Sequence, residues 1–249
     1  YLYDNWLREK KYAGLIKAVE TRLTDFGIAG KIIRLQQLTN AAAVIEDEIK
    51  RGAETIVIVG NNDTFGRVLS RAASCPAVFG FLPIGDRNSI ARVLGIPEGE
   101  AACDVLSRRR LVHLDVGWFN NRYFVSQLHI PPSDISVTYD EKFTVSARTH
   151  KMELVVCNLQ PFIWEEKGKP PYVVHPQDGK LEAFLRPMVA KGVFRDKYED
   201  PSVFPFEEMI VSSRTPFAVE ADGKQSKEIK ITIRLAKKKI AMVVGKERR

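Results

Sequence analysis

Between Thr55 and Val59 the chain runs Thr-Ile-Val-Ile-Val, β-branched at every position and apolar beyond the first. A strand apolar on both faces cannot tolerate water on either side, so it belongs inside a parallel sheet covered by helices. The run ends at Gly60-Asn-Asn-Asp-Thr64 and gives way to a helical stretch through Val68 and Leu69 to Ala73. A second apolar run, Ala77 to Ile84, ends at Gly85-Asp-Arg-Asn88. It is followed by Ser89-Ile-Ala-Arg-Val-Leu94, with a stop at Gly95-Ile-Pro97. Strand, polar turn, helix, twice over, predicts an α/β architecture. Upstream, Ile16, Val19, Leu23 and Phe26 recur at helical spacing and stop at Gly27. Ala41 to Lys50 reads as a second helix, with Thr39-Asn40 as cap candidates and Gly52 beyond it.

After about residue 107 the period shortens to two. Ile135, Val137 and Tyr139 alternate up to Asp140-Glu-Lys142, and Phe143, Val145 and Ala147 alternate after it, which is a hairpin pattern. Ile229, Ile231, Ile233 and Leu235 alternate again, followed by Ile240 to Val244, while Pro131-Pro132, Pro170-Pro171 and Pro216 read as turns and edges. The fold expected is α/β plus β. Residues 1–106 form an α/β domain and residues 107–249 a mostly antiparallel β domain, whose last strands are free to return to the first.

A chain of 249 residues can bury a core without staples. Its three cysteines, Cys75, Cys103 and Cys157, are too widely spaced for a disulfide framework or a zinc site, and Cys157 reads as a buried strand residue. His113, His129, His150 and His175 are dispersed, so they offer no metal motif. No apolar run reaches the roughly 18–20 residues of a membrane span, and residues 1–20 lack the order of a signal peptide. A cytoplasmic protein is expected. The net charge of +7 is concentrated in residues 227–249, which hold nine Lys/Arg and two Glu, on an otherwise neutral body. That distribution argues against nucleic acid as partner and leaves two readings of the basic segment, a solubilising feature or a peripheral contact, through Lys237, Lys238 and Lys239, with an anionic membrane. Arg108-Arg109-Arg110 reads as a solvated strand start. A homodimer is compatible with all of this.

In open α/β sheets ligands sit at the carboxyl ends of strands, where a loop feeds a helix whose free N–H groups attract anions. Gly60–Thr64 and Gly85–Asn88 are two such loops on consecutive strands, which points to a nucleotide or other phosphorylated ligand. These residues resemble a known family. Ile56-Val-Ile-Val-Gly-Asn-Asn-Asp-Thr64 is similar to the strand and first glycine-rich loop of the diacylglycerol kinase catalytic-domain family, which includes bacterial lipid kinases and sphingosine kinases. That family shares its first-domain fold with NAD kinases. The stretch from Phe79 to Pro97 resembles the family's second loop, and Leu114 to Phe124 resembles a strand pair. Pro176-Gln-Asp-Gly-Lys-Leu-Glu182 and Ala221-Asp-Gly-Lys224 fall where two further motifs occur, so the likeness is collinear over roughly residues 50–245.

The resemblance implies that residues 1–106 are a three-layer α/β nucleotide-binding domain, with ATP and Mg²⁺ as cofactors and phosphoryl transfer to a lipid hydroxyl. It places nucleotide contacts at Gly60, Asn61, Asn62, Asp63, Thr64, Gly85, Asp86, Arg87 and Asn88 and catalysis near Asp222, while Asp63 and Asp86, which depart from the family pattern, are candidates for displaced metal ligands. The departures are specific. Asn61 and Asp63 replace glycines, Asn62 and Ser89 replace acids, Arg87 replaces a small residue, and Lys224 stands where a catalytic Glu is expected. The element that follows the family's first strand has no counterpart in Tyr1-Leu-Tyr-Asp-Asn-Trp6. Phosphoryl transfer needs carboxylates for the metal and for the acceptor hydroxyl. The expectation is therefore impaired catalysis, with a non-catalytic module for a nucleotide or other phosphorylated ligand as the alternative.

Overall fold

The computed structural model describes residues 1–36, 40–140, 143–146, 150–163, 172, 174–190 and 197–246. Thr39, Lys142, Ala147, Pro170-Pro171 and Glu247 to Arg249, which figure in the expectations above, lie outside them. The chain divides into two units. Unit 1 comprises residues 1–114 and 239–249, and unit 2 residues 115–238.

Unit 1 contains β1 (Leu2–Asp4), short 3-10 turns at Asn5–Arg8 and Lys10–Tyr12, α1 (Ala13–Asp25), β2 (Ile33–Leu35), α2 (Ala41–Lys50) and β3 (Thr55–Gly60). α3 (Asn62–Ala72), β4 (Val78–Pro83), α4 (Ser89–Val93), α5 (Ala102–Arg108) and β5 (Leu111–Leu114) follow. β3 is buried on both faces from Ile56 onward, as its composition requires. Fully burying each Ile or Val there stabilises the fold by roughly 1.5–3 kcal/mol. α1 stops at Gly27 in a left-handed turn, where Gly27 N–H donates to Thr24 and Ile28 N–H to Leu23. This pair of bonds satisfies the last helical carbonyls. Asn40 occupies the N-cap of α2, but its side chain makes no capping hydrogen bond, so that helix start is weaker than its sequence suggests.

Unit 2 is built from β6 (Gly117–Phe119), β7 (Arg122–Phe124), β8 (Gln127–Ser133), β9 (Ser136–Tyr139), β10 (Phe143–Ser146), β11 (Met152–Cys157) and β12 (Leu181–Ala190). It continues with β13 (Lys197–Tyr198), β14 (Ser202–Phe206), β15 (Glu208–Ala221) and β16 (Lys224–Leu235). All their pairings are antiparallel, in one eleven-stranded sheet whose main path runs β13-β12-β11-β8-β15-β16-β6-β7. β9 and β10 form the hairpin read from the alternation. Cys157 is fully buried at the end of β11. The prolines differ from expectation. Pro131-Pro132 lie within β8 and Pro216 within β15, each at a shift of register, where a missing N–H costs no ladder bond.

The chain then returns to unit 1 as β17 (Ile240–Val243), giving the sheet order β2-β1-β3-β4-β17-β5. β17 is parallel to β4 and antiparallel to β5. The basic segment is thus not a tail but parts of two sheets, with Lys237, Lys238 and Lys239 on the exposed link between β16 and β17. The result is an α/β sheet that is mostly parallel, and a separate antiparallel sheet. Among the described residues no helix is long and apolar enough to cross a membrane.

Candidate functional site

β3 and β4 pair in parallel register, from Thr55 opposite Val78 to Gly60 opposite Pro83, so both loops leave the same sheet edge side by side. Backbone bonds tie them together. Ile84 N–H donates to the Gly60 carbonyl at 2.8 Å, and Asn62 N–H to the Arg87 carbonyl at 3.1 Å. Side chains repeat the tie, with Asn62 Nδ2 donating to Ser89 Oγ at 2.8 Å and Asn62 Oδ1 accepting from Ile90 N–H at 3.2 Å. The two positions where the family resemblance expects acids are therefore hydrogen-bonded to each other. Arg87 and Asp63 form an ion pair across the loops at 2.5 Å. Both are well exposed, so the pair is worth roughly 1 kcal/mol at most.

The first loop is occupied by its own residues. Asn61 caps α3, and its Oδ1 accepts from Asp63 N–H at 3.1 Å and Thr64 N–H at 3.2 Å. The Asn61 carbonyl takes Phe65 N–H at 2.9 Å, and Arg87 takes Asn62 N–H. Phe65 N–H makes the first bond of the helix itself, and of the N–H groups that a helix start ordinarily leaves for an external acceptor, those of Asn62, Asp63 and Thr64 have partners inside the protein. Gly60 is required here by close approach, because a Cβ on it would lie 2.5 Å from Thr64 Oγ1.

Beneath the loop stands a residue that the sequence reading passed over. Asp4, buried at the end of β1, accepts from Thr64 Oγ1 at 2.6 Å and from Arg67 Nη2 at 2.5 Å. It clamps the first turn of α3 to the sheet. No local pattern marks it, since its partners are sixty residues away; its position at the end of a strand flanking β3 is the only signal.

In the second loop Gly85 and Arg87 both have positive φ, 82° and 64°. Asn88 Nδ2 bridges back to the Gly85 carbonyl at 2.7 Å, and Asn88 Oδ1 is buried without a hydrogen-bond partner. Trp6, packed edge-on against Tyr12, sits over this loop, so a Cβ on Gly85 would lie 2.8 Å from its ring. The backbone N–H groups of Gly85, Asp86 and Arg87 have no protein acceptor among the described residues.

Asp222, Gly223 and Lys224 belong to unit 2, at the turn between β15 and β16, where Asp222 and Gly223 both adopt positive φ. That pairing of conformations matches the twist of a two-residue hairpin. Asp222 accepts from Val125 N–H at 2.6 Å and Ser126 N–H at 3.0 Å. Burial pushes its carboxyl above the ordinary range, and these donors pull the other way. Its visible work is to fasten one turn to another.

Mg²⁺ takes octahedral oxygen ligands, commonly one or two carboxylates with phosphates and water. Here the Asp63 carboxylate is engaged by Arg87, and among the described residues no three His, Cys, Asp or Glu side chains gather as a metal group. The residues at the first loop do not fit a Mg²⁺-bound triphosphate: the amides of Asn62, Asp63 and Thr64 are already used, and Asn62 and Ser89 offer a carboxamide and a hydroxyl in place of acids.

Residues 9–119 match the family model described as diacylglycerol kinase catalytic domain. A diacylglycerol kinase of Staphylococcus haemolyticus is 30% identical over 90 residues, covering 35% of this chain and 27% of that protein. A probable lipid kinase YegS-like of an Enterobacter species is 28% identical over 114 residues, covering 43% and 38% respectively. The chain thus spans well under half the length of these curated relatives. A diacylglycerol kinase crystal structure from Bacillus anthracis str. Sterne matches with a TM-score of 0.77, over 100% of this chain and 97% of that one, at 15% identity. At that identity the likeness is one of fold.

Proposed function

We propose, on the match of residues 9–119 to the diacylglycerol kinase catalytic-domain model, that the chain is a lipid-kinase-like module that binds a phosphate-bearing ligand at its second loop and transfers phosphoryl groups poorly. The observation that carries this reading is the self-satisfied first loop, in which the N–H groups of Asn62, Asp63 and Thr64 all have internal acceptors. A triphosphate would have to displace the Asn61 carboxamide and the Arg87 carbonyl before gaining the same donors.

The second loop keeps what the first has lost. Consecutive N–H groups beside residues of positive φ form a concavity that attracts anions. The Arg87 guanidinium next to it can exchange the Asp63 carboxylate for a phosphate oxygen, with charge-assisted bonds and no metal. For transfer the balance is unfavourable. Asn62 and Ser89 cannot accept a proton or hold Mg²⁺ as carboxylates do, and an ammonium at Lys224 is a poor base at neutral pH. Losing a positioned base typically costs 10²–10⁴-fold in rate. The exposed Lys237, Lys238 and Lys239 suit a peripheral contact with anionic phospholipid, each contributing on the order of 1 kcal/mol. Vesicle co-sedimentation that weakens with salt and with their replacement by Ala checks this part.

The test of the main reading is transfer from labelled ATP to a panel of diacylglycerols and sphingoid bases, run beside titration with pyrophosphate. Background turnover is expected, with pyrophosphate binding indifferent to Mg²⁺ and weakened by Arg87→Ala. Combining Asn61→Gly, Asn62→Asp, Ser89→Asp and Lys224→Glu should raise turnover. Robust Mg²⁺-dependent turnover by the unmodified protein would refute the reading.

A further inference from the structure

At the opposite edge of the unit 1 sheet lies a cavity of about 440 Å³, within the range of roughly 300–1,000 Å³ that small-molecule sites occupy. Strand direction fixes its place, because its lining includes Leu2, Ile33 and Thr55, which stand at the starts of β1, β2 and β3, whereas the two loops leave the ends of β3 and β4. The walls are apolar, formed by Leu2, Ile33, Ile45, Ile56, Leu106 and Val243. Such a surface holds a hydrocarbon body better than a sugar or a base.

The charge around the cavity narrows the ligand further. Arg109 lines it from the C-terminal end of α5, with φ 48° and ψ 41°, a left-handed conformation that non-glycine residues rarely adopt. Arg109 has no ion-pair partner among the described residues. The acids of the lining are Glu48 and Glu54. Glu48 is already neutralised, by Lys31 at 2.6 Å and Arg51 at 2.7 Å, and Glu54 is exposed. With Lys31, also of the lining, paired to Glu48, the side-chain charges left facing the cavity are Arg109 and the exposed Glu54, a balance that suits a monoanion better than a dianionic phosphate monoester. A lone guanidinium matches the planar fork of a carboxylate, with two parallel N–H donors. Thr55 adds a buried hydroxyl in the same wall that has no hydrogen-bond partner.

From this juxtaposition we infer that unit 1 carries a second binding site, for an aliphatic monocarboxylate whose chain lies on the apolar walls and whose head pairs with Arg109. The site is independent of the phosphate loops and of the function proposed for them.

Titration with decanoate and with decan-1-ol, both below the concentration at which they self-associate, tests the assignment. Decanoate should bind at one site per chain, and more tightly than the alcohol. Arg109→Asn, which keeps a residue tolerant of the left-handed conformation, should weaken decanoate by about tenfold, roughly the loss of one charge-assisted contact, and leave decan-1-ol unchanged. Ala53→Phe, which fills the cavity from a turn residue of its lining, should abolish binding of both, with the fold checked by circular dichroism. Absence of saturable decanoate binding, equal affinity for the alcohol, or indifference to either substitution would overturn the inference.

Discussion

Asp4 shows how one buried carboxylate can set a loop. It takes the Thr64 hydroxyl and the Arg67 guanidinium at once, so the first turn of α3 is held from below while Asn61 holds it from within. Removing one partner of a buried pair leaves the other uncompensated, at about 3–5 kcal/mol when fully buried. Arg67 is partly solvated, so Asp4→Ala should cost about 2 kcal/mol, seen in urea unfolding as a lower midpoint with an unchanged slope. Glu182 is the opposite case. It is 5% exposed, and burial, with repulsion from Asp178, lifts its carboxyl from 4.5 to about 7. Between those values the folded protein keeps a proton that the unfolded chain has lost, so stability should fall as pH rises through that window and level off above it. Glu182→Gln should flatten that slope, and at pH 8 should gain up to about 3 kcal/mol relative to the parent by the linkage of 1.36 kcal/mol per unit. Denaturant melts from pH 4 to 8 measure both.

Among the elements, β17 carries the most consequence for its length. Its four residues bridge β4 and β5, and the turn after it is pressed against the segment following α4, with Gly245 N–H donating to the Leu94 carbonyl. A Cβ on Gly245 would lie 1.7 Å from the Gly95 carbonyl oxygen, a backbone atom that cannot rotate away. Gly245→Ala should therefore cost about 3 kcal/mol, the upper end of what overpacking typically costs. Gly14→Ala, in α1 with nothing within 4 Å of the new methyl, should instead add up to about 1 kcal/mol. Thermal melts of the two variants should shift in opposite directions. The apolar character of Ile240 to Val244 was visible in the sequence, but its place between β4 and β5 was not, because periodicity reports which faces are buried and not which strands are neighbours. β1 and β2 escaped for a different reason. At three residues each they are too short to display a period.

For the whole molecule, the α/β and antiparallel parts were legible because each writes its own period along the chain, and the two loops were legible because Gly, Asn and Asp punctuate strand ends. The family likeness was legible in the same loops. What those residues do was harder to read. Asn61 looks like an ordinary turn residue, and only the geometry shows its carboxamide taking the amide donors of Asp63 and Thr64. Asn62 and Ser89 look like independent losses of acid, yet they form one hydrogen-bonded tie between the loops. A fold so close to that of a diacylglycerol kinase, with a TM-score of 0.77, is therefore compatible with a first loop whose Asn62, Asp63 and Thr64 amides are bonded within the protein.

Amide hydrogen exchange at Asp63 and Thr64, followed residue by residue by NMR with and without saturating ATP and Mg²⁺, addresses that claim most directly. Both amides should be protected in the free protein, should lose protection in Asn61→Gly, and should keep the same exchange rate and chemical shift when nucleotide and metal are added to the unmodified chain. Fast exchange in the free protein, or a Mg²⁺-dependent, saturable change at these two amides, would show the first loop open to a triphosphate and contradict the account.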